Sequence, residues 1–188
     1  MTIRPVGISN ASKAATRMVT EYGVSHPPVP VHKIIVNEGL RVVYERLPSD
    51  TSAVLIRRPD GERLIGVNAS HAPTRQRFSL AHELGHAVLH FTSDPPEDGD
   101  AVVDRPLEVL FRDGVASLGT SKVEVDANTF AAELLMPRQL VEHSFRQALA
   151  RRPRFDLDAS IAELARDFEV STQAMTYRLV NLHLIDPA

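Results

Sequence analysis

Residues 75–90 read RQRFSLAHELGHAVLH, and the interpretation of the remaining sequence depends on this stretch. Its apolar residues recur at helical spacing from Thr74 to His90, which predicts an amphipathic helix. His82 and His86 stand four residues apart, so they lie on one face of that helix, one turn apart. Two imidazoles placed in this way can reach a single zinc ion. Glu83, beside the first histidine, is then the candidate general base toward an attacking water.

The third metal ligand has to come from elsewhere in the chain, because a catalytic zinc site usually takes three protein ligands and keeps one position open. The extended metzincin pattern fails, since Leu89 and Thr92 occupy the positions that require glycine and histidine. The chain has no cysteine, so a carboxylate on another element is the remaining common ligand. The glutamates weighed for this role are Glu97, Glu108, Glu124 and Glu133.

Glu124 is the preferred third ligand. It lies on a second helix predicted from about Lys122 to Met136, whereas Glu97 falls in an acidic loop and Glu108 in a short strand-like segment. Glu133 is nine residues further along the same helix and therefore points to its opposite face. Asp126 is the alternative ligand, because sequence alone does not fix where the helix begins.

The segments upstream of the histidine helix predict two helices and a small sheet. The first helix covers residues 9–22, with Ser9 or Asn10 as its cap, and a short helix follows between Pro30 and Gly39. Three extended segments come next, LRVVYERL, SAVLIRR and RLIGVN, which we expect to form a small antiparallel sheet. RLIGVN precedes the histidine helix directly and is the predicted edge strand for an extended substrate.

The segments downstream are predicted to be mostly helical. Residues 94–104 are acidic and favour a solvated loop, and residues 107–111 favour a short strand. Another helix follows the one that carries Glu124; it begins at Pro137 and reaches about Arg152. The tail over 158–184 has the pattern of a helix-turn-helix, with a turn near Val170 and Ser171. Arg178 is its only strong DNA-contacting side chain, so we expect a packing element or a partner-docking surface rather than a DNA reader.

Length, composition and net charge restrict the class of protein, the number of domains and the kind of partner. The chain has 188 residues, 43% hydrophobic and 24% charged, which excludes disorder of the whole chain. We expect one domain over 1–188, divided into an N-terminal helix and connector (1–29), a catalytic core (30–140) and a helical C-terminal subdomain (141–188). A net charge of -3 argues against nucleic acid as the main partner, so no specific DNA binding is expected. No secretory signal or membrane segment is recognised, which makes the cytoplasm the expected location.

Two blocks of sequence together resemble a known family. RQRFSLAHELGHAVLH, followed by EVDANTFAAELLMP at residues 124–137, is similar to the ImmA/IrrE family of zinc metallopeptidases. The resemblance implies an α+β domain of the gluzincin kind, in which a small antiparallel sheet packs on a helical bundle. It also implies one zinc ion per chain, held by the residues matching His82, His86 and Glu124, with Glu83 as catalytic base. Asp126 stands where family members often have glutamate, which leaves it open as a ligand.

The resemblance further implies a regulatory role. Members of the family typically cleave a helix-turn-helix transcriptional repressor and so release stress or mobile-element genes. The expected function is therefore a cytoplasmic zinc endopeptidase in stress response and transcription regulation, acting on a repressor-type protein. The alternative is a non-enzymatic zinc-containing binding module that sequesters a repressor or forms half of a toxin–antitoxin-like pair. Glu83 discriminates between the two, because metal binding alone does not require it.

Overall fold

The computed structural model describes residues 9–58, 60–90, 101–103, 122–151 and 156–187. The helices are α1 (Asn10–Glu21), α2 (Val31–Asn37), α3 (Pro73–Leu89), α4 (Lys122–Leu135), α5 (Arg138–Arg151), α6 (Leu157–Asp167) and α7 (Thr172–Asn181). The strands are β1 (Leu40–Glu45), β2 (Ala53–Arg57), β3 (Arg63–Asn68) and β4 (Ala101–Val103). These helices and the small sheet confirm the predicted α+β class.

The helix boundaries follow the local signals in the sequence. Ser9 caps α1 by accepting a hydrogen bond from the Ser12 backbone nitrogen at 3.1 Å, and Gly23 follows the helix with a φ of 61°. The short α2 ends before Gly39, whose φ is 76°. Pro73 occupies the first turn of α3, where a missing backbone N–H has no cost. Both predicted N-terminal helices are confirmed.

The sheet departs from the expected antiparallel arrangement. Its order is β1-β3-β2-β4, in which β2 is antiparallel to β3 and β4, but β1 is parallel to β3. The prediction that RLIGVN forms an edge strand is wrong, because β3 lies between β1 and β2 and pairs with both. Val67 and its neighbours in β3 are buried on both faces of the sheet, as the near-continuous apolar run of this strand allows.

One buried amide shapes the connection that gives the sheet its mixed order. Asn68, at the end of β3, is fully buried, and its Nδ2 donates to the backbone oxygens of Leu47, Pro48 and Thr51 at 3.2, 3.1 and 2.9 Å. These bonds hold the 46–52 segment that joins β1 to β2 against the end of β3. The segment that leaves β1 therefore runs past the end of β3 before it enters β2. As a result, β3 lies between β1 and β2, the two strands that precede it in the sequence.

The middle of α3 is enclosed by its neighbouring elements. Every residue from Ser79 to Ala87 is buried, because α3 packs against α4, α2, α1, β2 and β3. A single cluster of buried apolar side chains runs from Ala11 in α1 to Leu182 after α7. The polar side chains in the middle of α3 are therefore buried inside the molecule.

The helical tail packs through its basic residue. Arg178 of α7 is buried, and its Nη1 and Nη2 donate to the two carboxylate oxygens of Glu133 at 2.9 and 2.6 Å. Its Nε donates to the backbone oxygen of Met136 at 2.9 Å. The side chain that would have been the main DNA contact of a helix-turn-helix is thus used to join α7 to the C-terminal end of α4.

Several predictions concern other parts of the chain. Residues 101–103 form strand β4, where the acidic segment 94–104 was expected to be a loop. The expected strand at 107–111 and the candidate ligands Glu97 and Glu108 lie outside the described residues. Within the described ranges, no helix combines the length and the apolar content needed to cross a bilayer.

Candidate metal centre

The side chains of His82, His86 and Glu124 meet between α3 and α4. The two Nε2 atoms of the histidines are 2.9 Å apart. The Glu124 carboxylate lies across from them, with Oε2 3.4 Å from the His82 Nε2 and Oε1 3.4 Å from the His86 Nε2. One donor atom from each of the three residues lies within 4.8 Å of the others, and no other His/Cys/Asp/Glu cluster of this kind occurs in the described residues.

Local helix geometry explains why these groups meet. The four-residue spacing of His82 and His86 stacks them one turn apart on α3, with ring centroids separated by 4.6 Å. The α4 backbone approaches this face closely because position 85 is glycine. A Cβ built on Gly85 would lie 3.2 Å from both the Cα and the carbonyl oxygen of Ala127. Without a side chain at position 85, Glu124 can reach the two imidazoles from the neighbouring helix.

The electrostatic surroundings favour the protonation states in which histidine and glutamate bind metal. Burial, with the neighbouring His82, lowers the pKa of His86 to about 4, so its imidazole is neutral at physiological pH. Contact with His82 lowers the pKa of Glu124, and the charge interactions with the nearby imidazoles act in the same direction against the effect of burial. A neutral imidazole and an ionised carboxylate are the states in which these groups bind metal.

The donor set fits a divalent transition metal. Two imidazole nitrogens and two carboxylate oxygens converge on one point with their acceptor atoms facing one another. Burial of converging acceptors costs free energy unless protons or a cation lie between them. Two histidines and one glutamate also form one of the ligand sets found in catalytic zinc sites. The arrangement therefore matches the chemistry of a metal centre.

The other predicted site residues differ in position. Glu83 is fully buried beside His82 on α3. Asp126, the alternative ligand, does not belong to the donor cluster of the described residues, whereas Glu124 does. Glu133 points away from the centre and binds Arg178, as the opposite-face argument predicted.

Further groups surround the imidazoles. The Phe78 ring stacks near His82, with centroids 6.4 Å apart and planes inclined by 29°. His90 follows one turn after His86, with their centroids 5.7 Å apart. Asn128, on α4, places its Oδ1 3.1 Å from the Nδ1 of His82. The position of Asn128, one turn after Glu124 on the same helical face, is the sequence signal for this contact.

Comparison with known proteins gives matches over most of the chain. The peptidase family M78 model, described as IrrE N-terminal-like domain, matches residues 37–180. The radiation response metalloprotease IrrE of Deinococcus radiodurans is 33% identical over 118 residues, which cover 62% of this chain and 30% of that protein. The protein of the same name from Deinococcus deserti is 27% identical over 179 residues, or 93% of this chain and 55% of that protein.

Two further matches widen the comparison. An uncharacterized immunity region protein of Bacillus phage phi105 is 29% identical over 142 residues, which cover 75% of this chain and 78% of that protein. A solved structure titled Mycobacterium tuberculosis transcriptional regulator aligns with a TM-score of 0.57 and 20% identity over 92% of this chain and 47% of that one. At this identity the structural likeness concerns the fold alone. The chain spans 30% and 55% of the lengths of the two IrrE proteins.

Proposed function

Because the chain belongs to the peptidase family M78, the IrrE N-terminal-like domains, we propose that it is a zinc-dependent endopeptidase acting on a regulatory protein. The observation that carries this proposal is the convergence of His82, His86 and Glu124 beside a buried Glu83. A structural metal site would need no carboxylate next to the first histidine, whereas peptide hydrolysis needs a base at that position.

The proposed metal ligands are the Nε2 atoms of His82 and His86 and the carboxylate of Glu124. We propose zinc, because this donor set and a site with one open position are typical of zinc hydrolases. When bound, the ion would supply Lewis-acid polarisation of the scissile carbonyl and of the attacking water. The low pKa of His86 helps, since little proton competition remains at this nitrogen near neutral pH.

Glu83 is proposed to move the proton. Its carboxylate takes a proton from the attacking water and later delivers it to the nitrogen of the leaving amine. The side chain is enclosed by α3 and its neighbours, so bulk water does not screen its interaction with the reacting groups. This general acid–base contribution is worth about 10²–10⁴-fold in rate.

The substrate is proposed to be a transcriptional repressor of the helix-turn-helix type. Support comes from the names of the relatives, a radiation response metalloprotease and a phage immunity region protein, both of which point to regulatory settings. The chain's own tail is proposed to be a packing element rather than a DNA reader, because Arg178 is buried and bound to Glu133 and Met136.

An extended substrate would add to a strand at the edge of the sheet. In the described residues the outer strands are β1 and β4. Each of them lies beside a strand that packs on α3, the helix that carries the histidines, because β2 and β3 both contact α3, so we propose either edge for the substrate. Main-chain hydrogen bonds to such an edge would hold the substrate extended.

The experiment is to capture the substrate with an inactive variant. Glu83→Gln keeps the size of the side chain and the three proposed ligands but removes the proton acceptor. Expressed in the native host, it should co-purify with an intact partner, identified by mass spectrometry, which the wild-type chain cleaves. Glu142→Gln, on the exposed face of α5, is the matched control and should cleave like wild type.

Two results would contradict the proposal. If the partner is captured by Glu83→Gln but stays intact with metal-loaded wild type, the chain is the binding module described above rather than an enzyme. If Glu83→Gln cleaves at the wild-type rate, the assignment of the base is wrong.

A further inference from the structure

Asn128 connects the two helices that form the metal centre. Its Oδ1 lies 3.1 Å from the Nδ1 of His82, and its Nδ2 donates to the backbone oxygen of Glu124 at 2.9 Å. One side-chain amide therefore contacts the ring of one proposed ligand and the main chain of another. The two residues joined by the first bond are 46 positions apart in the sequence.

The second bond fixes the orientation of the amide. A backbone carbonyl can only accept, so the NH₂ end of Asn128 must face Glu124 and the oxygen must face His82. An amide oxygen can also only accept, so the bond to His82 requires a hydrogen on Nδ1. With Nδ1 as the N–H donor, the nitrogen left to provide a lone pair is Nε2, which faces His86 and Glu124.

We infer that Asn128 is a positioning residue that holds His82 with Nδ1–H toward α4 and Nε2 toward the metal position. The inference rests on the proposed metal centre and extends it by a residue that does not bind the metal itself. Outer hydrogen bonds of this kind fix the tautomer and the ring plane of a metal-binding histidine. Their loss typically lowers metal affinity about 10–100-fold.

The Asn128 contact acts on the Nδ1 edge of the His82 ring, whereas His86 and Glu124 lie at the Nε2 edge. Phe78 stacks near the ring face, which restricts tilting but offers no hydrogen bond to either nitrogen. Gly85 allows α4 to come close enough for the short Asn128 side chain to reach the ring. Without the hydrogen bond to Asn128, the imidazole of His82 could turn about its χ2 bond and exchange the positions of its two nitrogens, because terminal sp³–sp² torsions are broad.

Asn128→Leu tests the inference, since leucine has similar volume but accepts no hydrogen bond. Thr129→Val is the matched control. Thr129 also bonds back to the carbonyl four residues earlier on α4, at 2.7 Å from the Val125 oxygen, but this bond lies on the exposed side of the helix. Zinc affinity is measured by competition with a chromophoric chelator. Asn128→Leu should bind about 10–100-fold more weakly than wild type, and Thr129→Val within about threefold of it.

A second measurement detects the hydrogen bond in the wild-type protein, where no variant has to fold. In zinc-loaded wild-type protein, ¹⁵N NMR should show the His82 Nδ1–H as a hydrogen-bonded proton that exchanges slowly with water, because the side chain is buried. The same signal should persist in Asn128→Asp, which keeps the acceptor, and should broaden or vanish in Asn128→Leu.

The outcomes separate this inference from the proposed function. Wild-type protein that takes up no zinc contradicts the metal centre itself. Wild-type protein that binds zinc, together with an Asn128→Leu variant of equal affinity, overturns only the role of Asn128. Coordination of zinc through the Nδ1 of His82 in wild type would overturn it as well.

Discussion

In the described part of the chain, the helix pairs α3–α4 and α4–α7 both bury polar side chains, and they do so in different ways. Between α3 and α4, the nitrogens of His82 and His86 and the carboxylate of Glu124 turn their acceptors toward one point. Between α4 and α7, Arg178 directs its donors at the carboxylate of Glu133 and the carbonyl of Met136. The second set pairs donors with acceptors, whereas the first brings together three side chains that can each offer a ligand atom to one metal ion.

The comparison shows how a buried polar cluster indicates function. Burial by itself does not separate the two clusters, since His82 and Arg178 are 1% and 6% exposed. The kind of atoms that meet does separate them, because buried polar groups are generally matched with partners. A guanidinium paired with a carboxylate indicates a structural role, and three converging metal-ligand atoms indicate a candidate metal site.

The largest expected effect on stability is at the matched cluster. Arg178→Met leaves the Glu133 carboxylate and the Met136 carbonyl without their partner, so we expect the free energy of unfolding to fall by about 3–5 kcal/mol. The control is Arg138→Met, which breaks an exposed pair with Glu142 and should change stability by less than about 1 kcal/mol. Urea denaturation of both variants measures the difference.

A compensated double variant sharpens this test. Arg178→Met combined with Glu133→Leu removes both charges and should recover part of the stability lost in the single variant. If Arg178→Met unfolds at the same urea concentration as wild type, the guanidinium does not stabilise the core. Arg178 would then be available for DNA, and the helical tail would again be a candidate DNA-binding element.

A smaller effect is expected where α3 meets α4. Gly85→Ala places a Cβ 3.1 Å from Phe130 Cδ1 and 3.2 Å from the Ala127 backbone, so α4 must move away by a few tenths of an ångström. Overpacking typically costs about 1–3 kcal/mol, of which about 1 kcal/mol is offset by the better helix propensity of alanine. Because Glu124 moves with α4, zinc affinity should fall as well. Unchanged zinc affinity measured by chelator competition would show that the close approach is not needed for the site.

The smallest predicted effect concerns the start of α7. Ser171 caps this helix by accepting from the Ala174 backbone nitrogen at 3.1 Å, so Ser171→Ala should cost about 1 kcal/mol. Thermal unfolding followed by circular dichroism measures the change. Thr176→Ala, on the same helix, removes only a bond back to the Thr172 carbonyl and should be nearly neutral. Equal effects of the two substitutions would argue against the cap.

The parts of the fold set by local spacing could be predicted from the sequence. Helical periodicity placed α3 and α4, and the four-residue interval placed His82 and His86 on one face. The nine-residue interval between Glu124 and Glu133 separated a carboxylate that faces the two histidines from one that binds Arg178. These features depend on residues within a few turns of one another.

Features that depend on distant residues could not be predicted in this way. The contacts of Asn128 with His82 and of Arg178 with Glu133 join residues 46 and 45 positions apart. The strand order also involves a non-local contact, the hydrogen bonds from the Asn68 side chain to the backbone of the 46–52 segment. The edge prediction for RLIGVN followed its proximity to α3 in sequence, although its unbroken apolar run was a signal for a central strand.

The most direct test of the account is the metal content of three proteins purified without chelator. We expect about one zinc per chain in wild type and in Asp126→Asn, and a marked loss in Glu124→Gln, in which a neutral amide replaces the anionic ligand. Adding zinc at about a thousand times its dissociation constant to the metal-free wild-type protein should raise its unfolding free energy by about 4 kcal/mol. Wild-type protein without zinc, or zinc retained by Glu124→Gln and lost by Asp126→Asn, would contradict the metal centre as described.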